Sequence, residues 1–183
     1  MHINTGELIK DPKNAKDLPD GKKMYLSLDQ TENEPQDTGA NEEGFAQYAL
    51  SSSWDVSTAT FEGSFQVDQM SQFLDDNTPE GMFFRPDGKK LFFIAGQNDA
   101  ILQCALTNAW DITDSSSISV EKTAEPYYDI STAKDIEFNQ DGHRMYVLES
   151  GVGRSNIYQY ELSSSYDIGS NMSGSRAAHD NDV

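Results

Sequence analysis

The chain has 183 residues, 36% of them hydrophobic and 10% aromatic, with 31 acidic against 13 basic side chains and a formal net charge of −18. That length suffices for a sizeable core, and the aromatic content argues against global disorder. So acidic a surface repels phosphate backbones and anionic lipid, which excludes a nucleic-acid binder and counts against a membrane-surface role. No apolar run approaches the roughly 18 residues of a membrane-spanning helix, so membrane insertion is not expected. The opening Met1–Lys10 lacks the apolar core of a secretory signal, which leaves the compartment open.

Residues 2–9 read as one short strand. Beyond them, the dipeptides Asp20-Gly21, Asp87-Gly88 and Asp141-Gly142 each stand between runs of β-forming residues, within Lys16–Leu28, Met82–Ile94 and Ile136–Leu148. Glycine supplies the positive φ of a tight hairpin and aspartate bonds the turn backbone, so three hairpins are predicted. Third strands follow at Gly44–Leu50, Ala100–Leu106 and Asn156–Leu162. Fourth strands are predicted at Ala59–Val67 and Ser116–Lys122.

Between third and fourth strands lies the clearest signal. Gln47-Tyr-Ala-Leu-Ser-Ser-Ser-Trp-Asp-Val56 returns as Gln103-Cys-Ala-Leu-Thr-Asn-Ala-Trp-Asp-Ile112 and again as Gln159-Tyr-Glu-Leu-Ser-Ser-Ser-Tyr-Asp-Ile168. The starts at 47, 103 and 159 are evenly spaced, so one supersecondary unit is stacked on copies of itself. No segment carries sustained helical periodicity, and the fold class is all-β. Residues 1–168 form one β-repeat domain, with repeats near 14–67, 79–122 and 133–168. Residues 169–183 are small, polar and turn-rich, and are expected to be a flexible tail. The third repeat then lacks a fourth strand, and residues 2–9 are placed to supply it.

The hairpin sequences Asp-Gly-Lys-Lys-Met-Tyr-Leu26, Arg85-Pro-Asp-Gly-Lys-Lys-Leu-Phe-Phe93 and Asp141-Gly-His-Arg-Met-Tyr-Val147 resemble β-propeller blade repeats of the YVTN type. The corner sequence is similar to that of propeller repeats in marine bacterial and phage-like sequences. The resemblance implies three consecutive four-stranded blades. Propellers close with about four to eight blades, so three leave several arrangements open. The chain is half of a six-bladed ring closed by a homodimer, or a piece of a longer propeller, or its repeats make a β-trefoil instead.

Function is thinly written. Trp54, Trp110 and Tyr166, each followed by an acid (Asp55, Asp111, Asp167), suit a repeated sugar cradle. Because they recur with the scaffold, the preferred reading is structural, with the aromatic wedged between neighbouring repeats and the acid capping the following turn. Glu80 and Asp135 lie where connections enter the innermost strands. In a propeller they face each other across the axis at the channel mouth, bordered by Tyr127 and Tyr128, and this is the preferred ligand site. The acidic loop Asp29, Glu32, Glu34, Asp37, Glu42 and Glu43 gathers carboxylates but matches no calcium-loop spacing, so no cofactor is expected there. Cys104, the sole cysteine, reads as a packed strand residue. No catalytic residue is assigned, because no nucleophile elbow, histidine-rich metal spacing or phosphate loop occurs. The expected function is a non-catalytic binding or structural module engaging a protein or glycan through its loop face, on a cell or virion surface. The alternative is a lactonase-like hydrolase propeller using axial acids and a divalent metal.

Overall fold

A computed structural model describes residues 3–4, 21–28, 44–67, 79–95, 100–124, 132–151, 154–169 and 172–179, and the statements below concern these. They form three separate antiparallel sheets of four strands each, every one a meander taken in chain order. The first sheet holds β1 (Ile3–Asn4), β2 (Lys23–Leu28), β3 (Gly44–Leu50) and β4 (Ala59–Gln66). The second holds β5 (Pro79–Phe84), β6 (Lys90–Ala95), β7 (Ala100–Leu106) and β8 (Ile118–Ala124). The third holds β9 (Ala133–Phe138), β10 (Arg144–Gly151), β11 (Arg154–Leu162) and β12 (Met172–His179). The innermost strands β5 and β9 lie side by side, as blades of a propeller do.

A β-trefoil is not what these sheets make, since no described strand pairs with a strand of another repeat. Two further expectations are corrected. The stretch expected to be a flexible tail supplies β12, which pairs along the whole of Ser155–Leu162. Its small side chains hid the strand, but pairing needs only backbone groups, and β11 offers a full ladder of them. The N-terminal strand does not complete the third sheet. Ile3 and Asn4 pair with Leu26 and Tyr25, making β1 the innermost strand of the first sheet. The predicted first-repeat strand before Gly21 lies outside the described residues.

Alternation along each strand sends one set of side chains towards the preceding sheet and the other towards the next, so the core is two apolar layers. Between sheets one and two pack Phe45, Phe65, Met82, Phe93, Leu102 and Ile112, with others. Between sheets two and three pack Phe92, Ile94, Ile101, Met145, Tyr160 and Ile168, with others. Aromatic contacts cross each layer in the same way. Tyr25 lies 4.6 Å from Phe84, as Phe92 lies 4.5 Å from Phe138.

The repeated glutamine locks neighbouring sheets together. Gln47 Oε1 accepts the backbone N–H of Ile112 at 2.9 Å, and Gln103 Oε1 accepts that of Ile168 at 3.1 Å. Each amide then donates to a carboxylate of its own sheet, Glu62 at 2.7 Å and Glu121 at 2.7 Å. Those glutamates are the extra residues at register shifts in β4 and β8, so the bulge aims the carboxylate at the amide. The amide hydrogen bonds hold both carboxyls below the usual glutamate range.

Candidate functional site

The corner aromatics explain the turn glycines. Trp54, Trp110 and Tyr166 have positive φ (65°, 63° and 51°), a conformation that costs a non-glycine residue about 1 kcal/mol. Their backbone N–H groups donate to the carbonyls of Gly21, Gly88 and Gly142 at 2.9, 3.0 and 2.9 Å. Each ring lies flat on that glycine, where an added Cβ would come within 2.4, 2.3 and 2.3 Å of ring atoms. Glycine is therefore required twice over, for its φ near +70° and for the ring above it. Tyr166 also stacks on Phe83 of the second sheet at 6.2 Å, and Trp110 packs on Phe84 of its own sheet at 5.3 Å. The acids at this corner turn inward on the backbone: Asp55, Asp111 and Asp167 accept the N–H two residues on from each, at 3.0 Å. The Thr113 hydroxyl and N–H hold the Asp111 carboxyl low, and an ion pair with Lys122 of the second sheet does so for Asp167. With rings on glycine and carboxylates on backbone, these six residues build the corner.

The opposite ends of the sheets, where β5 and β9 begin, carry the other predicted site. Glu80 and Asp135 belong to adjacent innermost strands rather than to opposite sides of an axis. Lys134 reaches from β9 to pair with Glu80, an ion pair that bridges the two sheets. Asp135 lies directly over Gly81, where an added Cβ would meet its Oδ1 at 2.3 Å and Cα at 2.5 Å. Oδ1 also accepts the N–H of Ile136 at 2.9 Å. Register shifts at both strand starts leave Gly81 and Lys134 as the extra residues, while Glu80 and Asp135 stay paired with Ile94 and Leu148. The result is a partly exposed cluster of one ammonium and two carboxylates. Tyr127, Tyr128 and the acidic loop at 29–43 lie outside the described residues. Among the described residues no group of three or more His, Cys, Asp and Glu side chains is placed to hold a metal ion. Glu80 is committed to Lys134, so this set does not fit a divalent metal.

Cys104 is fully buried in the first layer, and burial pushes its thiol up to about 12. Two polar groups escaped the sequence reading although the repeat points to both. Glu137 occupies the position held by Phe83 in the second repeat, and burial, with Asp135 nearby, pushes its carboxyl up to about 7. Glu149, 1% exposed, stands where the second repeat has Ala95. It accepts hydrogen bonds from Asn156 at 2.5 Å and from the Tyr158 hydroxyl at 2.9 Å. Comparing repeat with repeat for acids that replace apolar residues would have found both.

No protein-family model matches the chain, and no curated protein matches it. Among solved structures, it is similar to a putative 6-phosphogluconolactonase from Bacteroides uniformis, with 13% identity and a TM-score of 0.51, over 88% of this chain and 39% of that one. It is also similar to a protein from Lactobacillus plantarum, with 13% identity and a TM-score of 0.44, over 76% of this chain and 39% of that one. The chain thus spans about two-fifths of the length of each. At such identity the first likeness establishes the fold alone: an all-β, propeller-like array. The leading expectation of a non-catalytic binding module is corrected to this extent: the solved structure that the described sheets match bears the name of a lactonase, a name that belongs to that protein and that sits with the lactonase-like alternative rather than with the binding module.

Proposed function

We propose that this chain supplies YVTN-type blades of a lactone-hydrolysing propeller, with Asp135 and Lys134 as the reacting side chains at the channel mouth. The observation that carries the reading is the cluster at the start of β5 and β9, where Lys134 is held across the sheet boundary by Glu80 with Asp135 next to it in the chain. A lactone is an ester closed into a ring. Water attacks its carbonyl carbon while the Asp135 carboxylate takes the proton from that water, and the Lys134 ammonium offsets the negative charge developing on the carbonyl oxygen. The ring C–O bond then breaks, the departing oxygen takes the proton from Asp135, and a hydroxy acid leaves. Glu80 acts as a positioning residue that keeps the ammonium in place. A formal charge of −18 disfavours an anionic substrate, so an uncharged sugar lactone fits this chain better than a phosphorylated one.

The test is acid release from glucono-δ-lactone in a pH-stat, measured above the spontaneous rate. Asp135→Asn is expected to lower the catalysed rate about 10²–10⁴-fold, the usual range for a general base. Lys134→Met should lower kcat about 10²-fold with little change in KM. Hydrolysis no faster than the uncatalysed reaction, or untouched by Asp135→Asn, would remove the assignment.

A further inference from the structure

The two outer flanks of the array are complementary halves of the junction that already occurs twice inside it. On the free flank of the first sheet, Trp54, Val56 and Phe61 are 46%, 59% and 57% exposed. At the internal junctions, the residues that correspond to Val56 are Ile112 and Ile168, at 0% and 2%. On the free flank of the third sheet, Leu148 and Ile157 are 39% and 52% exposed, whereas their second-sheet counterparts Ile94 and Ile101 are both at 0%. All five large apolar side chains found exposed among the described residues therefore lie on these two flanks. The polar lock is also left half-made at each end. Gln159, the third copy of Gln47 and Gln103, makes no side-chain hydrogen bond among the described residues. The backbone N–H of Val56, the group corresponding to those of Ile112 and Ile168, has no described acceptor.

We infer that the third sheet of one copy receives the first sheet of a second copy, with Gln159 accepting the Val56 N–H and Leu148 and Ile157 packing under Trp54 and Val56. The junction is head to tail, so it is used twice in a closed pair and buries both flanks of both copies. Blade number selects the pair. The described residues of one copy make three sheets, those of two copies bring six and of three bring nine, and only six lies within the roughly four to eight blades that close a ring. Burying Val56 and Ile157 as their internal counterparts are buried supplies the hydrophobic drive. The partner is a second copy because the flank it must match is already on this chain, copied twice with the same contacts.

The experiment is sedimentation equilibrium of the 183-residue chain at about 100 μM, with Val56→Asp and Ile157→Asp alongside. Both substituted positions are exposed, and unchanged circular dichroism and thermal midpoint would show that each variant folds. The wild type is expected at twice its 20.3 kDa mass, and each variant at the monomer mass. A mixture of the two variants should regain a heterodimer, because one intact flank remains on each and together they make one good junction. An interface that pairs like with like would show no such rescue. A monomeric wild type, a dimer indifferent to both substitutions, or an absence of rescue would each overturn the inference.

Discussion

Replacing Gln103 by alanine tests whether the repeated amide, rather than apolar packing alone, holds the sheets together. Two things are lost at once. The Ile168 N–H, on a residue only 2% exposed, is left without its 3.1 Å acceptor, and a buried donor stranded in that way costs about 1–3 kcal/mol. Glu121 loses the 2.7 Å amide bond but keeps Lys90 at 3.0 Å and its own partial exposure, which limits that loss to about 1 kcal/mol. The expected total is about 2–4 kcal/mol. With a urea slope of about 2 kcal/mol per molar, the unfolding midpoint falls by about 1–2 M. The third repeat provides the control. Gln159→Ala removes the same side chain where no such bonds are made among the described residues, and it should cost under about 0.5 kcal/mol, as at an ordinary surface position. Both are best measured in the Ile157→Asp background, so that the third sheet's flank stays free. Equal losses from Gln103→Ala and Gln159→Ala would refute the clamp as the source of the stability.

Three other outcomes follow from the geometry. Gly142→Ala must hold φ at 71° and push its methyl into the Tyr166 ring; a loss of about 2–3 kcal/mol is expected, read as a thermal midpoint lowered by about 5–10 °C, with the loss reduced in a Tyr166→Ala background. Glu137, with its folded-state pKa raised to about 7, favours the folded state while protonated; the stability is fully present below the unfolded value of 4.5 and declines as pH rises through 7. The shift corresponds to about 3 kcal/mol before solvent screening and about 1–2 after it, so Glu137→Gln should flatten that decline in urea titrations between pH 5 and 8. Cys104, buried and with its thiol pushed up to about 12, should react with a thiol reagent at pH 8 only as fast as the chain unfolds. Labelling within seconds under native conditions would contradict its place in the core.

Local chemistry determined a good deal from sequence alone. The third strands at Gly44–Leu50 and Ala100–Leu106 were legible to the residue, because each sits between a hairpin signal and a repeated corner. The hairpin glycines were legible too, since a tight turn needs positive φ wherever it occurs. That the Gln, Trp and Asp of the corner recur together was visible, but not what they touch. Only the tertiary structure decided that the glutamine reaches across to the next repeat, and that the corner ring covers a glycine some 22 to 33 positions earlier.

β12 went unseen because its strand identity comes from the ladder offered by β11, not from its own small side chains. β1 was assigned to the wrong sheet because two residues carry no register of their own. Glu80, Lys134 and Asp135 could be named individually from sequence; their convergence depends on two innermost strands being packed side by side. A sequence fixes turns, alternation and repeats through bonds a few residues long. Which flank is covered, and which carboxylate is buried, depends on the neighbour that tertiary packing places beside it.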